Sequence, residues 1–134
     1  MTSANTAIVQ GIYQAIGAGN IPAALDAMSP DIVWNEADDF IYADRNPYVG
    51  PHAVVEGVFA RLGGEWEGFS AHVEELLDAG EAVVALGRYS GTFKATGTAQ
   101  DTQFVHVWRI KDGRAAGFQQ YANTLHVARV TGTA

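Results

Sequence analysis

The amino-acid sequence predicts an α+β fold in which three N-terminal helices pack on one face of an antiparallel sheet. Apolar residues recur at helical spacing in the first half of the chain and at a spacing of two in the second half. Short connections join the predicted strands, and Asp112-Gly113 is typical of a two-residue hairpin. At 134 residues, 48% of them hydrophobic, the chain suits one globular domain over residues 1–134.

The helical half contains three amphipathic segments. The first begins at a cap residue, Asn5 or Thr6, and ends at Gly17. The second covers residues 21–28, and the third covers residues 50–64 and ends in two glycines. Each segment has one apolar stripe, so each is expected to pack against the sheet.

The strands follow from alternation of apolar and polar residues. An early strand covers residues 31–36 and is followed by a polar loop over residues 37–50. Four longer strands are predicted at residues 67–79, 82–93, 99–111 and 114–123. Because hairpins connect the last four, they form an antiparallel meander whose covered face is the expected pocket.

Composition and charge exclude several classes of partner. Fifteen acidic and eight basic residues give a net charge of −7, which opposes binding to nucleic acid or anionic membranes. No stretch is apolar enough to span a membrane, and the absence of cysteine is compatible with a cytoplasmic location. The four histidines lie on unlike segments, and no glycine-rich phosphate loop is present, so we expect no metal and no cofactor.

The strand with His106 places an ionisable group among large apolar side chains. Alternation puts Phe104, His106 and Trp108 on one face. One interpretation is a core histidine bonded to a neighbouring polar group. The other is a hydrogen-bond donor or acid/base group in a pocket, because imidazole titrates near neutral pH.

Two further polar sets have alternative interpretations. Gln119, Tyr121 and Asn123 share a face of the last strand, which is a pocket wall in one interpretation and an exposed outer face or a subunit interface in the other. Glu36 follows Trp34 by two residues. Its carboxyl group is either solvated at the strand end or desolvated beside Trp34, with a raised pKa.

Several segments together resemble the SnoaL-like branch of the NTF2-like superfamily, which includes ketosteroid isomerase, limonene epoxide hydrolase and polyketide cyclases. The matching segments span nearly the whole chain. They are A-I-V-Q-G-I-Y-Q-A-I-G-A-G-N-I-P-A-A-L, D-I-V-W-N-E, Y-V-G-P-H-A-V, G-R-Y-S-G-T-F-K-A-T-G-T, F-V-H-V-W-R-I-K-D-G-R and F-Q-Q-Y-A-N-T.

The resemblance implies a cone-shaped, cystatin-like fold with an internal pocket in a strongly curved sheet, a homodimer and no cofactor. A gapless alignment places Glu36 at the isomerase's general base and His106 at its oxyanion hole. Ile12, with Tyr13 beside it, stands where the isomerase has a tyrosine. Asn123 stands near the position of an aspartate in the cyclases and the hydrolase, and an asparagine cannot exchange protons near neutral pH.

These observations lead to a pocket protein for a small apolar organic ligand. One hypothesis is a cofactor-independent isomerase, cyclase or hydrolase acting on a carbonyl or ring compound, with Glu36 as base, His106 stabilising an oxyanion and Asn123 orienting the substrate. The alternatives are a non-catalytic ligand-binding or dimerisation module and an interaction scaffold. The predicted apolar walls are Trp34, Phe59, Phe104, Trp108 and Tyr121.

Overall fold

The first two helices pack side by side at the start of the chain. The computed structural model describes residues 3–134, in which α1 covers Ala4–Gly17 and α2 covers Ile21–Asp26. The cap of α1 is Ser3, whose hydroxyl accepts a hydrogen bond from the Thr6 amide, so the predicted cap is wrong. Asn5 lies inside the helix and donates to the Gly80 carbonyl.

The first strand and the loop behind it form one edge of the sheet. β1 covers Met28–Asn35, β2 covers Tyr48–Val49, and a short 3₁₀ turn at Ala43–Arg45 lies between them. β2 pairs antiparallel with β1, while β1 pairs in parallel with the last strand. The predicted loop therefore contains its own short strand.

The third predicted helix is divided by a π-helical turn. α3 covers Pro51–Val54, the π turn covers Val55–Phe59, and α4 covers Ala60–Glu65. The wider turn lets the backbone at Gly57 come close to the Tyr48 ring.

The remaining strands form the meander that the alternation predicts. β3 covers Trp66–Ala79, β4 covers Ala82–Phe93, β5 covers Thr98–Lys111 and β6 covers Arg114–Ala122. The sheet order is β2-β1-β6-β5-β4-β3. Register shifts within β3 and between β5 and β6 bend the sheet around its inner face. The α+β prediction is confirmed.

A fifth helix, α5 at Thr124–Thr131, closes the chain and was not predicted from the sequence. Its cap is Asn123, whose side-chain oxygen accepts from the His126 amide. Val127 of α5 packs against Phe40 and Tyr42 from the loop after β1, in a small second core.

The main core lies between the helices and the inner face of the sheet. Val9 and Ile12 of α1 pack in one cluster with Trp34, Trp108 and Phe118 of the sheet. Within residues 3–134, no helix combines the length and apolar character that crossing a membrane requires. In the same range, no three histidine, aspartate or glutamate side chains are grouped to hold a metal ion.

Candidate active site

A cavity of about 530 Å³ lies between the helices and the inner face of the sheet. This volume is in the range of small-molecule sites. Aromatic side chains are the largest group in the wall, and they are Tyr13, Trp34, Phe40, Phe59, Trp66, Phe69, Tyr89, Trp108 and Phe118. Glu36, Ser70, His106 and Gln120 add polar groups to the wall.

Trp34 connects the aromatic groups of the wall. Its ring stacks on Phe118 with centroids 3.7 Å apart, and it meets Trp108 and Phe59 edge to face. Such packing fixes the indole plane. The indole Nε1 is buried and has no hydrogen-bond partner among the described residues.

Glu36 follows directly after β1 and points into the cavity. Asn46 holds its backbone in place: the Asn46 side chain accepts from the Glu36 amide at 3.0 Å and donates to the Glu36 carbonyl at 2.9 Å. Asn46 thus gives the Glu36 backbone the hydrogen bonds that a paired strand would otherwise supply. The carboxyl group is fixed on the cavity wall, and the residue is only 3% exposed.

Burial raises the pKa of Glu36 to about 8, because it penalises the charged carboxylate. The nearby Trp34 indole N–H and the positive charge of Arg61 lower this pKa and so limit the rise. The N–H does not complete a hydrogen bond of ordinary geometry, since Glu36 Oε2 is also without a partner among the described residues. A carboxyl with this pKa can hold or release a proton near neutral pH.

Arg61 of α4 fixes the loop that follows Glu36. Its guanidinium forms a bidentate pair with Asp44 at 2.9 and 3.0 Å and donates to the Tyr48 hydroxyl at 2.6 Å. Its Nε donates to the Gly57 carbonyl in the π turn. One side chain therefore ties the loop, β2 and the π turn together.

His106 lies between two tyrosine hydroxyls. Its Nδ1 is 2.5 Å from the Tyr13 hydroxyl, and its Nε2 is 2.5 Å from the Tyr89 hydroxyl. Burial lowers the pKa of His106 to about 3, so the ring is neutral at physiological pH. A neutral imidazole has one N–H and one lone pair, and both are used by the tyrosines.

Each tyrosine oxygen also accepts a hydrogen bond from a residue other than His106. The Trp108 indole donates to Tyr13 at 2.8 Å, and the Gln120 amide nitrogen donates to Tyr89 at 2.9 Å. Gln120 is oriented in turn by the Ala37 amide, which donates to its side-chain oxygen at 3.0 Å. Burial raises the pKa of both tyrosines, so both remain phenols.

Five of the residues singled out in the sequence lie on the cavity wall: Trp34, Glu36, Phe59, His106 and Trp108. Phe104 lies one layer behind the wall and stacks on Tyr89 and His106. The Glu36 side chain is desolvated, which agrees with the interpretation that places it beside Trp34 rather than in solvent. Their roles toward a ligand stay a prediction.

Tyr121 and Asn123 do not reach the cavity, so their predicted placement is wrong. Tyr121 is 56% exposed and lines a groove on the outer face of the sheet. Asn123 is exposed as the cap of α5. The inward residues of β6 are instead Phe118 and Gln120.

A β-bulge in β6 explains why Gln120, and not Tyr121, faces the cavity. Ile110 pairs with Ala115, but Arg109 pairs with Gly117, so Ala116 is an extra residue. Without it, the hairpin would place Gln119 opposite His106; with it, Gln120 takes that position.

Two tyrosines at the site, Tyr13 and Tyr89, were not predicted from the sequence. In α1, Ile12 is fully buried in the core and Tyr13 faces the cavity, so a tyrosine is present at the site although the alignment placed Ile12 there. Tyr13 belongs to the helical stripe with Val9, Ile12 and Ile16, and this spacing already places it on the face of α1 that packs on the sheet. Tyr89 lies two strand positions from Gly87, which pairs with Phe104, so alternation together with this register assigns it to the inner face.

Comparison with known proteins identifies relatives of this fold. The SnoaL-like domain family matches residues 9–118. An NTF2-like protein from Burkholderia thailandensis is 36% identical, with 92% of this chain and 93% of that chain covered and a TM-score of 0.88. An NTF2-like protein of unknown function from Burkholderia pseudomallei is 27% identical, with 96% and 98% covered and a TM-score of 0.87.

A third similar structure is TerC co-crystallised with polyporic acid, 22% identical, with 97% of this chain and 99% of that chain covered and a TM-score of 0.86. At that identity the likeness concerns the fold. Among curated proteins, none matches the chain. Since the family match covers most of the sequence, the chain belongs to the SnoaL-like domain family and has the NTF2-like fold.

Proposed function

We propose that the cavity binds a small, largely apolar organic molecule with a carbonyl or ring oxygen, and that Glu36 acts on it as an acid/base group. One observation carries the proposal: a buried carboxyl with a pKa of about 8 opens on an aromatic cavity beside phenolic hydrogen-bond donors. A general base works best when its pKa lies near the working pH. No cofactor is needed for a proton transfer of this kind.

In the proposed reaction, ionised Glu36 removes a proton from the carbon next to a carbonyl, or from water. Negative charge then develops on the substrate oxygen and needs a donor. Both nitrogens of His106 are already bonded to tyrosines, so the donor is a tyrosine hydroxyl rather than the imidazole. His106 is thus a positioning residue in this proposal, which changes the direct role expected from the sequence.

Relatives support an organic ligand. TerC, which shares the fold, was co-crystallised with polyporic acid. The aromatic wall of the present cavity, led by Trp34 and Phe118, suits a flat apolar molecule. The substrate class proposed here is therefore a ring compound.

The second candidate is a ligand-binding module without catalysis. The observation that favours it is the raised pKa of Glu36 itself, because a carboxyl with a pKa of about 8 is mostly protonated at pH 7. A neutral carboxyl can donate a hydrogen bond to a ligand and do nothing further.

Turnover by a glutamine variant distinguishes the two. Small carbonyl, lactone and epoxide compounds are screened with wild-type protein, and Glu36→Gln is then compared on any substrate. The variant keeps the shape of the side chain but cannot exchange a proton, so kcat should fall by about a hundredfold or more. Exposed Glu67→Gln is the matched control and should keep wild-type turnover.

If no compound turns over and both wild type and Glu36→Gln bind the same ligand equally tightly, the protein is a binding module. Unchanged turnover in Glu36→Gln would contradict Glu36 as the base.

We also propose a homodimer that uses the outer face of the sheet. Val33 and Tyr121 are exposed there and flank a groove that includes Val107. Exposed apolar groups on a sheet face favour association with a second copy. A cytoplasmic location stays a prediction.

A further inference from the structure

The network around His106 has one more proton than its internal hydrogen bonds can use. It contains two phenol O–H groups, one imidazole N–H and two fixed outer donors, from Trp108 and Gln120. Among the described residues, neither tyrosine hydroxyl contacts any other side-chain or backbone acceptor. Each proton of the network can therefore be assigned to a donor and an acceptor.

Two arrangements satisfy the distances. In the first, Tyr13 donates to Nδ1 and Nε2–H donates to Tyr89; Tyr89 then accepts from both His106 and Gln120, and its own proton is unused. In the second, Tyr89 donates to Nε2 and Nδ1–H donates to Tyr13, so the unused proton is on Tyr13. Each arrangement contains four hydrogen bonds between the same groups.

We propose that His106 is a tautomeric switch: its tautomer decides whether Tyr13 or Tyr89 offers the cavity its one spare O–H, and both arrangements are populated in the free protein. The two arrangements should have similar energies, because the two tyrosine oxygens have matching surroundings. Each oxygen has one N–H donor from Trp108 or Gln120 at 2.8 or 2.9 Å and one imidazole nitrogen at 2.5 Å. Both tyrosines line the cavity, so either spare proton faces the ligand space.

Changing from the first arrangement to the second moves a proton through the network. Tyr13 passes its proton to Nδ1 as Nε2 passes its proton to Tyr89. Tyr89 releases its spare proton to a water molecule in the cavity, and Tyr13 takes one proton from water. The number of protons on the network is unchanged, and no oxidant or other reactant is involved.

The consequence for the ligand is a specificity rule, and this part of the inference rests on the proposed function. The cavity offers one phenolic donor at a time, so it suits a molecule with a single acceptor oxygen near His106. Two acceptor oxygens placed to meet Tyr13 and Tyr89 together would leave one of them unpaired, which costs affinity.

Nitrogen NMR of the histidine ring tests the switch without any ligand. In ¹⁵N-histidine-labelled Tyr13→Phe, Nδ1 loses its only hydrogen-bond partner among the described residues, and a buried N–H without an acceptor is costly, so the Nε2–H tautomer should dominate. In Tyr89→Phe, Nε2 loses its only hydrogen-bond partner among the described residues, so the Nδ1–H tautomer should dominate for the same reason. Wild type should show ring-nitrogen shifts between those of the two variants.

Tyr121→Phe, which removes an exposed hydroxyl outside the network, is the control and should leave the wild-type spectrum unchanged. The same tautomer in both network variants would overturn the proposal. So would a wild-type ring with one fully protonated and one fully unprotonated nitrogen, a result that can be read even if a variant does not fold. Because no substrate enters the experiment, its failure is separate from failure of the proposed function.

Discussion

Glu36 and His106 show how burial acts on single residues of opposite charge type. Burial opposes a charge on either side chain, so it raises the pKa of the carboxyl to about 8 and lowers the pKa of the imidazole to about 3. At pH 7 the acid is mostly protonated and the base is neutral. The cavity therefore holds little net charge and suits a neutral ligand.

The raised pKa of Glu36 predicts a pH-dependent effect of Glu36→Gln on the free energy of unfolding. The unfolded carboxyl ionises at about 4.5 and the folded one at about 8, so the stability it contributes is complete below pH 4.5 and is lost as the pH rises to 8. Relative to wild type, the variant should gain stability across this window, by as much as about 5 kcal/mol.

Urea denaturation at a series of pH values measures this difference. Comparing the variant with wild type isolates Glu36, since His106 adds an opposite slope between pH 3 and 6.5 in both proteins. Glu67→Gln should show no such trend. A difference between Glu36→Gln and wild type that does not change with pH would mean that the carboxyl is not buried in solution.

Local sequence patterns place some residues of the site but not others. Trp34 and Glu36 could be placed together because alternation along one short strand is enough. Ile12 and Tyr13 belong to the same helical stripe, and counting positions aligned Ile12, not Tyr13, with the tyrosine of the isomerase. Only the packing of α1 shows that Ile12 fills the core while Tyr13 reaches His106.

At the scale of elements, β-bulges decide which side chains face the cavity. Ala116 shifts the register of β6 by one residue, and a shift of one reverses every later side chain. That reversal moved Tyr121 outward and Gln120 inward. Gly117, beside Ala116, is a residue type that often occurs at bulges, but strand alternation takes no account of it and so could not locate the shift.

The π turn between α3 and α4 predicts a strong effect of a single methyl group. A Cβ at Gly57 would lie 2.1 Å from Cε1 of Tyr48, whose hydroxyl is held by the Tyr42 carbonyl and Arg61. The ring cannot easily move away. Gly57→Ala should therefore lower the free energy of unfolding by roughly 1 to 3 kcal/mol, as overpacking usually does.

Gly64→Ala is the matched control, because a Cβ there meets no atom within 4 Å and the residue lies in α4. Alanine in a helix should be neutral or stabilising by about 0.5 to 1 kcal/mol. Urea midpoints give both values. Equal stabilities for the two variants would show that Tyr48 yields to the new methyl group.

At the scale of the whole molecule, the sequence predicted the layers well and the ends of the chain less well. The change of apolar spacing from helical to alternating locates the boundary between helices and meander, since long periodic elements dominate burial. α5 was missed because Thr124–Thr131 is short and polar on one side, and its start depends on Asn123 acting as a cap.

The proposed dimer gives a prediction for the assembled molecule. Tyr121→Arg places a charge on the exposed outer face, where a desolvated charge at an interface is costly. Light scattering should give a dimer mass for wild type and for Glu81→Arg at a hairpin tip, and a monomer mass for Tyr121→Arg. A wild-type mass equal to one chain at every concentration would refute the dimer.

Direct titration of the Glu36 carboxyl tests the central claim, that a proton-exchanging acid lies in the ligand cavity. The side-chain carboxyl ¹³C shift is followed against pH in wild-type protein, and Glu36→Gln identifies the signal by its loss. The buried carboxyl should titrate with a midpoint near 8. A midpoint near 4.5, the value of an exposed glutamate, would contradict it.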